Sequence, residues 1–254
     1  MPYLCLVPQA TNLRTEIYGG YADLLGDSPL WTIGRFPLSG NREWLMREPE
    51  AVTIVRNGYL SIGVQKLTRF HDRAQILDNA KHVMFSTRRF PVPATGGISF
   101  EVSIKVRRRG ATPGDLYDGY GSLLCLDLET GTAMDWFVAD DMAAAAYARL
   151  PFPGLSLPEI GDFNYWAIFD EVSPAPSVDG FNTFGLTIEP SAGISWSMDG
   201  AEVSRRPMPY PLGELTLGLA IMTEKDIGPS GSVSLHGQGI QAEWSPVRVQ
   251  TWDA

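Results

Sequence analysis

Cysteine is almost missing from this 254-residue chain. Two residues, Cys5 and Cys125, make no disulfide framework, so a buried core has to hold the fold. Asn-x-Ser/Thr acceptors are absent, as are Cys-x-x-Cys and His-x-His metal spacings, a Gly-x-Ser-x-Gly nucleophile turn and a Gly-rich phosphate loop. Basic charge is also scarce: 20 Lys and Arg stand against 29 Asp and Glu, a formal net charge of -9. Such a surface does not attract phosphates or acidic lipids, which argues against nucleic acid or an anionic membrane as partner. The one dense basic run, Lys105-Val-Arg107-Arg108-Arg109, precedes Gly110 and reads as a solvated strand exit. No apolar window approaches a membrane span, and the opening MPYLCLVPQA lacks a basic leader and is broken by Pro8. The expectation is a cytoplasmic protein.

Glycine (26) and proline (19) are frequent and scattered, as many short strands and turns require. Nothing marks a linker or a repeat, so residues 1–254 read as one domain, with 1–50 an irregular, aromatic-studded segment packing over it. Period-two alternation dominates the remainder. Val52–Val64 alternates around Asn57-Gly58, a strong hairpin signal. Strands are expected at 82–90, 98–106, 120–128, 133–139, 164–169, 215–222, 232–236 and 241–249. Asp141–Arg149 has helix propensity but also suits a strand of small residues crossing a pocket floor. The clearest segment is 181–203. Phe184, Leu186 and Ile188 alternate, then Ile194, Trp196 and Met198, and Asp199-Gly200 turns the chain into a third strand.

The order Phe-x-x-Phe-Gly-Leu-x-Ile, turn, Ile-x-Trp-x-Met-Asp-Gly resembles the hairpin of the concanavalin A-like jelly rolls, notably the family 16 glycoside hydrolases. Ile98–Val106 is similar to an early strand of the same families. The resemblance covers roughly residues 98–203 and implies an all-β, two-sheet antiparallel sandwich with a cleft on one sheet. Where those hydrolases carry Glu-x-Asp-x-x-Glu, this chain has Ala133-Met-Asp135-Trp-Phe-Val138. The aspartate is kept and both glutamates are replaced. A retaining glycosidase needs two carboxylates about 5 to 5.5 Å apart, so hydrolysis loses its chemistry.

In size, hairpin and replaced carboxylates the chain is similar to jelly rolls of actinomycete polyketide pathways that promote (6+4) and (4+2) cycloadditions. That resemblance implies a cofactor-independent cyclase acting on an apolar macrocyclic polyketide. A pericyclic step needs only a cleft that restrains the substrate near its reactive conformer and a few polar groups that bias electron demand. The candidates for polar bias are Asp135, His71 and Tyr120. Those for shape are Trp31, Trp44, Met134, Trp136, Tyr165 and Trp166, with Trp136 expected to be removable without unfolding the protein. The competing readings are a carbohydrate-binding jelly roll, which stacks exposed aromatics on sugars, and a structural sandwich whose tryptophans are all core. Gly26-Asp-Ser28 resembles an esterase block, but Val233 stands where that chemistry needs an aspartate before His236.

Overall fold

A computed structural model describes residues 11–21, 24, 27–38, 42–68, 77–78, 80–149, 166–172, 176–177, 180–208, 210–226 and 235–253. The strands are β1 (Thr11–Tyr18), β2 (Trp31–Ile33), β3 (Arg35–Leu38), β4 (Arg42–Leu45), β5 (Val52–Arg56), β6 (Tyr59–Val64) and β7 (Leu77–Asp78). They continue with β8 (Lys81–Ser86), β9 (Phe90–Pro91), β10 (Gly97–Arg109), β11 (Tyr120–Asp127), β12 (Thr132–Val138), β13 (Ala143–Arg149) and β14 (Trp166–Glu171). The last are β15 (Asn182–Glu189), β16 (Gly193–Met198), β17 (Ala201–Arg206), β18 (Glu214–Met222), β19 (Lys225–Asp226), β20 (Gly239–Trp244) and β21 (Val247–Asp253).

These strands build the two-sheet antiparallel sandwich that the resemblance implied. The first sheet runs β17-β16-β15-β10-β20-β6-β5, with β21 also on β10 and β1 on β21. The second runs β14-β13-β12-β11-β18-β8-β2, with β9 on β18. Local chemistry sets the hairpins. Asn57 (φ 52°) with Gly58 (φ 80°), and Asp199 (φ 50°) with Gly200 (φ 81°), take the left-handed conformations that tight two-residue turns demand.

The expectations for residues 1–50 need correction. Among the described residues of that segment, 11–18 and 31–33 are not an irregular cover: β1 extends the first sheet along β21, and β2 pairs with β8 at the edge of the second. Residues 143–149 are a strand, every position buried, paired with β12 on one side and β14 on the other, bonds that a helix there could not make. Expected residues 232–234 lie outside the described set, and His236 is not in a strand. Arg108 is no solvated exit. Its guanidinium bonds Asp140 at 2.6 Å and Asp141 at 2.5 Å and donates to the Asp115 carbonyl at 2.6 Å, with its own side chain only 5% exposed. Cys125 is buried with a free thiol, which burial raises well above its ordinary pKa, and Cys5 lies outside the described residues.

The inner faces of the sheets meet in one large core that includes Phe100, Ile104, Leu123, Phe184, Leu186, Leu219 and Trp244. Trp31, Trp136, Trp196 and Trp244 are all fully buried. Three of their indoles tie sheet to sheet. Trp136 Nε1 donates to the Gly185 carbonyl at 2.8 Å, Trp196 Nε1 to that of Asp135 at 3.0 Å, and Trp244 Nε1 to that of Ser122 at 3.1 Å. A buried indole N–H without a partner would cost free energy, so each bond fixes where a ring can sit. Gly121 lies beneath them, where a Cβ would come within 2.9 Å of Ala242 Cβ and Val106 Cγ2. Trp136 is therefore core, in edge contact with Phe184 at 4.9 Å. Trp136→Ala is expected to lose about 3–5 kcal/mol of stability. Denaturant unfolding measures this; a variant as stable as the parent would contradict the core placement.

Candidate functional site

Antiparallel register decides which residues share a face. Asp135 pairs with Leu124 and Ala146, and Phe137 pairs with Ser122 and Ala144. These residues, with Ala133 and Ala148, lie on the outer face of the second sheet, the one on which the resemblance places a cleft. Met134, Trp136 and Val138 alternate to the inner side and join the core between the sheets. Two residues expected to bind substrate, Met134 and Trp136, thus face away from the site. Trp31 is corrected likewise: it is fully buried and packs on Tyr18 at 5.3 Å and Tyr21 at 5.9 Å. Sequence alternation had separated the two faces of β12 correctly, but it could not say which looks outward. His71 and Tyr165 lie outside the described residues. Trp44 falls in β4, opposite Phe36, and Trp166 in β14, opposite Arg149, while the side chains of both lie outside the described set.

The floor of the outer face is apolar and made largely of small side chains. Ala144, Ala146, Phe137, Ala220 and Met222 form one cluster with Val83, joined by Met46 just after β4 and by Leu116 from a single 3-10 turn, Leu116–Asp118. From β13 this face receives only the methyl groups of Ala144, Ala146 and Ala148, all of them buried. Phe137 stacks on Tyr120, with ring centroids 4.0 Å apart and planes 18° apart, and Tyr117 meets it edge-on at 6.3 Å.

Polar groups sit within this apolar surround. Ser122 Oγ donates to Asp135 Oδ1. Tyr120 Oη donates to Glu224 Oε2 at 2.7 Å. Burial raises the Asp135 carboxyl well above the ordinary carboxylate range; the Ser122 bond and the Trp136 backbone N–H pull it down, and the Glu224 charge adds to the rise. Glu224 is raised by burial too, against opposing pulls from Tyr120 and Lys81. Burial lowers the Lys81 ammonium to about 7, with Glu224 opposing. Tyr120 is pushed far up by burial and by the charges of Glu224 and Asp135. Asp135 and Tyr120, two expected polar residues, do share one site.

Backbone bonds hold the members in place. Glu224 N donates to the Tyr117 carbonyl, and Thr223 N to that of Ala80, both at 2.9 Å. The Asp135 and Ser122 carbonyls accept the Trp196 and Trp244 indoles described above. Sequence reasoning missed Ser122, Glu224 and Lys81. Ser122 was within reach, as the polar residue two positions from Tyr120 in a strand beside Asp135. Glu224 and Lys81 each stand at the border of a strand, where a charged residue looks like ordinary solvation. Among the described residues no three His, Cys, Asp or Glu side chains cluster as metal ligands would.

The sequence matches a model for a family of unknown function, DUF6081, over residues 27–253. The chain belongs to that family. A search of curated proteins finds no significant match. Among solved structures the chain is similar to porphyranase B from Zobellia galactanivorans, with 12% identity, TM-score 0.56, and 97% of this chain and 96% of that one covered. A prokaryotic β-1,3-1,4-glucanase (lichenase) derived from a mouse hindgut metagenome gives 15% identity, TM-score 0.53, and coverage of 96% and 99%. A β-agarase A in complex with oligoagarose gives 10%, 0.54, and 95% and 94%. At these identities the likeness establishes the jelly-roll fold that DUF6081 shares with these carbohydrate-active proteins. No helix among the described residues is long and apolar enough to cross a membrane.

The raised Asp135 pKa gives a signed prediction. An unfolded aspartate releases its proton near pH 3.9, whereas the folded chain retains it to higher pH. Over that window the unfolded state binds fewer protons, so this group's contribution to stability falls as pH rises, by up to about 1.4 kcal/mol per pH unit. Asp135→Asn removes the slope. Unfolding at about pH 4.5 and pH 7 should show the variant gaining on the parent as pH rises; parallel stabilities would mean that the carboxyl is ionised in the fold.

Proposed function

We propose that the outer face of the second sheet binds an apolar small molecule, a macrocyclic polyketide or similar polyene, and promotes its intramolecular cycloaddition without a cofactor. One observation carries the reading: two carboxyls, Asp135 and Glu224, are held toward their neutral forms by an alanine-floored apolar surface and bonded to Ser122 and Tyr120. A retaining hydrolase needs an ionised nucleophile beside a proton donor. Carboxyls held toward the neutral form can instead donate hydrogen bonds that polarise a carbonyl or diene of the substrate while the walls limit its conformers. In this reading Asp135 supplies polar bias, Tyr120 acts through the Glu224 carboxyl to which it donates, Phe137 supplies a flat wall, and Ala144 and Ala146 leave room for the ring system.

A second reading keeps a carbohydrate ligand on the same face without chemistry. The fold shared with the agarase and lichenase favours it, whereas the apolar floor opposes it.

Native mass spectrometry with solvent extraction, on protein purified from a polyketide-producing host, separates the two. A co-purifying apolar macrocycle or polyene is the expected result. Protein that arrives empty and shifts with oligoagarose or mixed-linkage glucan oligosaccharides would overturn the cyclase in favour of glycan binding. Ala146→Phe, which fills the floor opposite Asp135, should cut ligand recovery at least about tenfold, equivalent to 1.4 kcal/mol, and leave the far-UV circular dichroism unchanged. Undiminished recovery would place the ligand elsewhere.

A further inference from the structure

Two of the free edges of the first sheet, at β17 and at β5, are built differently. At one end β17, Ala201–Arg206, carries Glu202, Arg205 and Arg206, and its pairing with β16 is interrupted by a bulge between Trp196 and Ser197. Charges and bulges are the usual means of keeping an edge strand from recruiting another strand. At the other end β5 has no bulge and a single charge, Arg56, at its turn end. Its sequence is Val-Thr-Ile-Val-Arg, its register with β6 is unbroken from Val52 to Arg56, and all five residues are exposed. Val52 is 58% exposed and Ile54 53%. Among the described residues no strand pairs with its outer edge.

Hairpin geometry tells which backbone groups face outward. Arg56 and Tyr59 flank the two-residue turn and form a hydrogen-bonded pair, so Arg56, Ile54 and Val52 direct their backbone bonds to β6. Thr53 and Val55 direct theirs away from the sheet. The Ala51 N–H is used in a turn to Glu48, at 3.1 Å, which leaves the Ala51 carbonyl on that side.

We propose that β5 is a self-association edge, at which a second copy of this chain adds its own β5 antiparallel about a twofold axis through Thr53. Charge complementarity selects that occupant and that register. With Thr53 opposite Thr53 of the second copy, Val52 falls opposite Ile54, and Glu50 opposite Arg56, twice by symmetry. Val52, Ile54 and Arg56 are on the face opposite the core, since they pair with Gly63, Ser61 and Tyr59, while Leu60, Ile62 and Val64 point inward. The two exposed apolar side chains of each copy thereby cover one another, flanked by opposite charges. Thr53 exchanges two backbone bonds with its counterpart, and each Val55 N–H donates to the Ala51 carbonyl across the axis. A neighbouring register centred on Ile54 would instead set Arg56 against Val52. The interface is small, so the dimer dissociates on dilution, and the ion pairs fix register more than they add affinity.

Sedimentation equilibrium of the full chain over a wide concentration range tests this, with amide hydrogen exchange as the second readout. The expected result is a reversible monomer–dimer equilibrium, with Thr53 and Val55 amides protected only at high concentration. Ile54→Lys and Glu50→Arg should each raise the dissociation constant at least about tenfold, and the exchange Glu50→Arg with Arg56→Glu should restore it. Thermal unfolding of diluted protein should be unchanged, because both positions are solvent-exposed. A chain that stays monomeric at every concentration, or a dimer insensitive to these changes, overturns the proposal; so does a charge exchange that fails to restore affinity.

Discussion

Three indole N–H groups reaching across the sandwich to backbone carbonyls are the constraint on which the structure depends. Trp136 reaches from the second sheet to Gly185, while Trp196 and Trp244 reach back to Asp135 and Ser122. Each bond satisfies the polar atom of a ring that is otherwise wholly buried. Together they set the spacing and relative slide of the sheets, because displacement of either sheet would strand an indole donor in the core. Two of the accepting residues also carry the polar side chains of the site face. The core tryptophans therefore position the site from behind, one residue in each case belonging to core and site at once.

On the site face the same low-dielectric surround that closes Phe137 and Tyr120 together also favours protons on the two carboxyls. A carboxylate exposed to water or paired with arginine stays charged, as Asp170 does beside Arg206, where hydrogen bonds and that charge bring its pKa below the ordinary value. At Asp135 burial outweighs the bonds from Ser122 and the Trp136 backbone N–H, so its pKa moves the other way, up. One residue type thus performs two tasks in this chain, and its neighbours choose between them.

Much of the fold was legible in the residues. The hairpins at Asn57-Gly58 and Asp199-Gly200, the strand of small residues in β13 as one of two options, and the broad apolar run of β18 follow from alternation and turn chemistry, which are local. Residues 11–50 were misread because β1 and β2 are short or weakly alternating and owe their existence to pairing with β21 and β8, partners more than fifty residues away for β2 and over two hundred for β1. Of the polar residues gathered on the candidate face, Asp135 and Tyr120 were named from the sequence and Glu224, Ser122 and Lys81 were not. Ser122 was legible from its place beside Tyr120, whereas Glu224 and Lys81 look like ordinary strand-border charges.

The sequence by itself determined the class of fold and the division of each strand into two faces, since side chains alternate with the pleat whatever the partner strands are. It also determined the net charge of -9. Only the tertiary structure decided which face of β12 is outward, because that choice depends on which sheet lies opposite, and the answer moved Trp136 and Met134 from candidate ligands to core. It also decided that Glu224 meets Tyr120, a contact spanning 104 positions. Packing of β18 against β11 creates that contact, and through it the polar centre of the site.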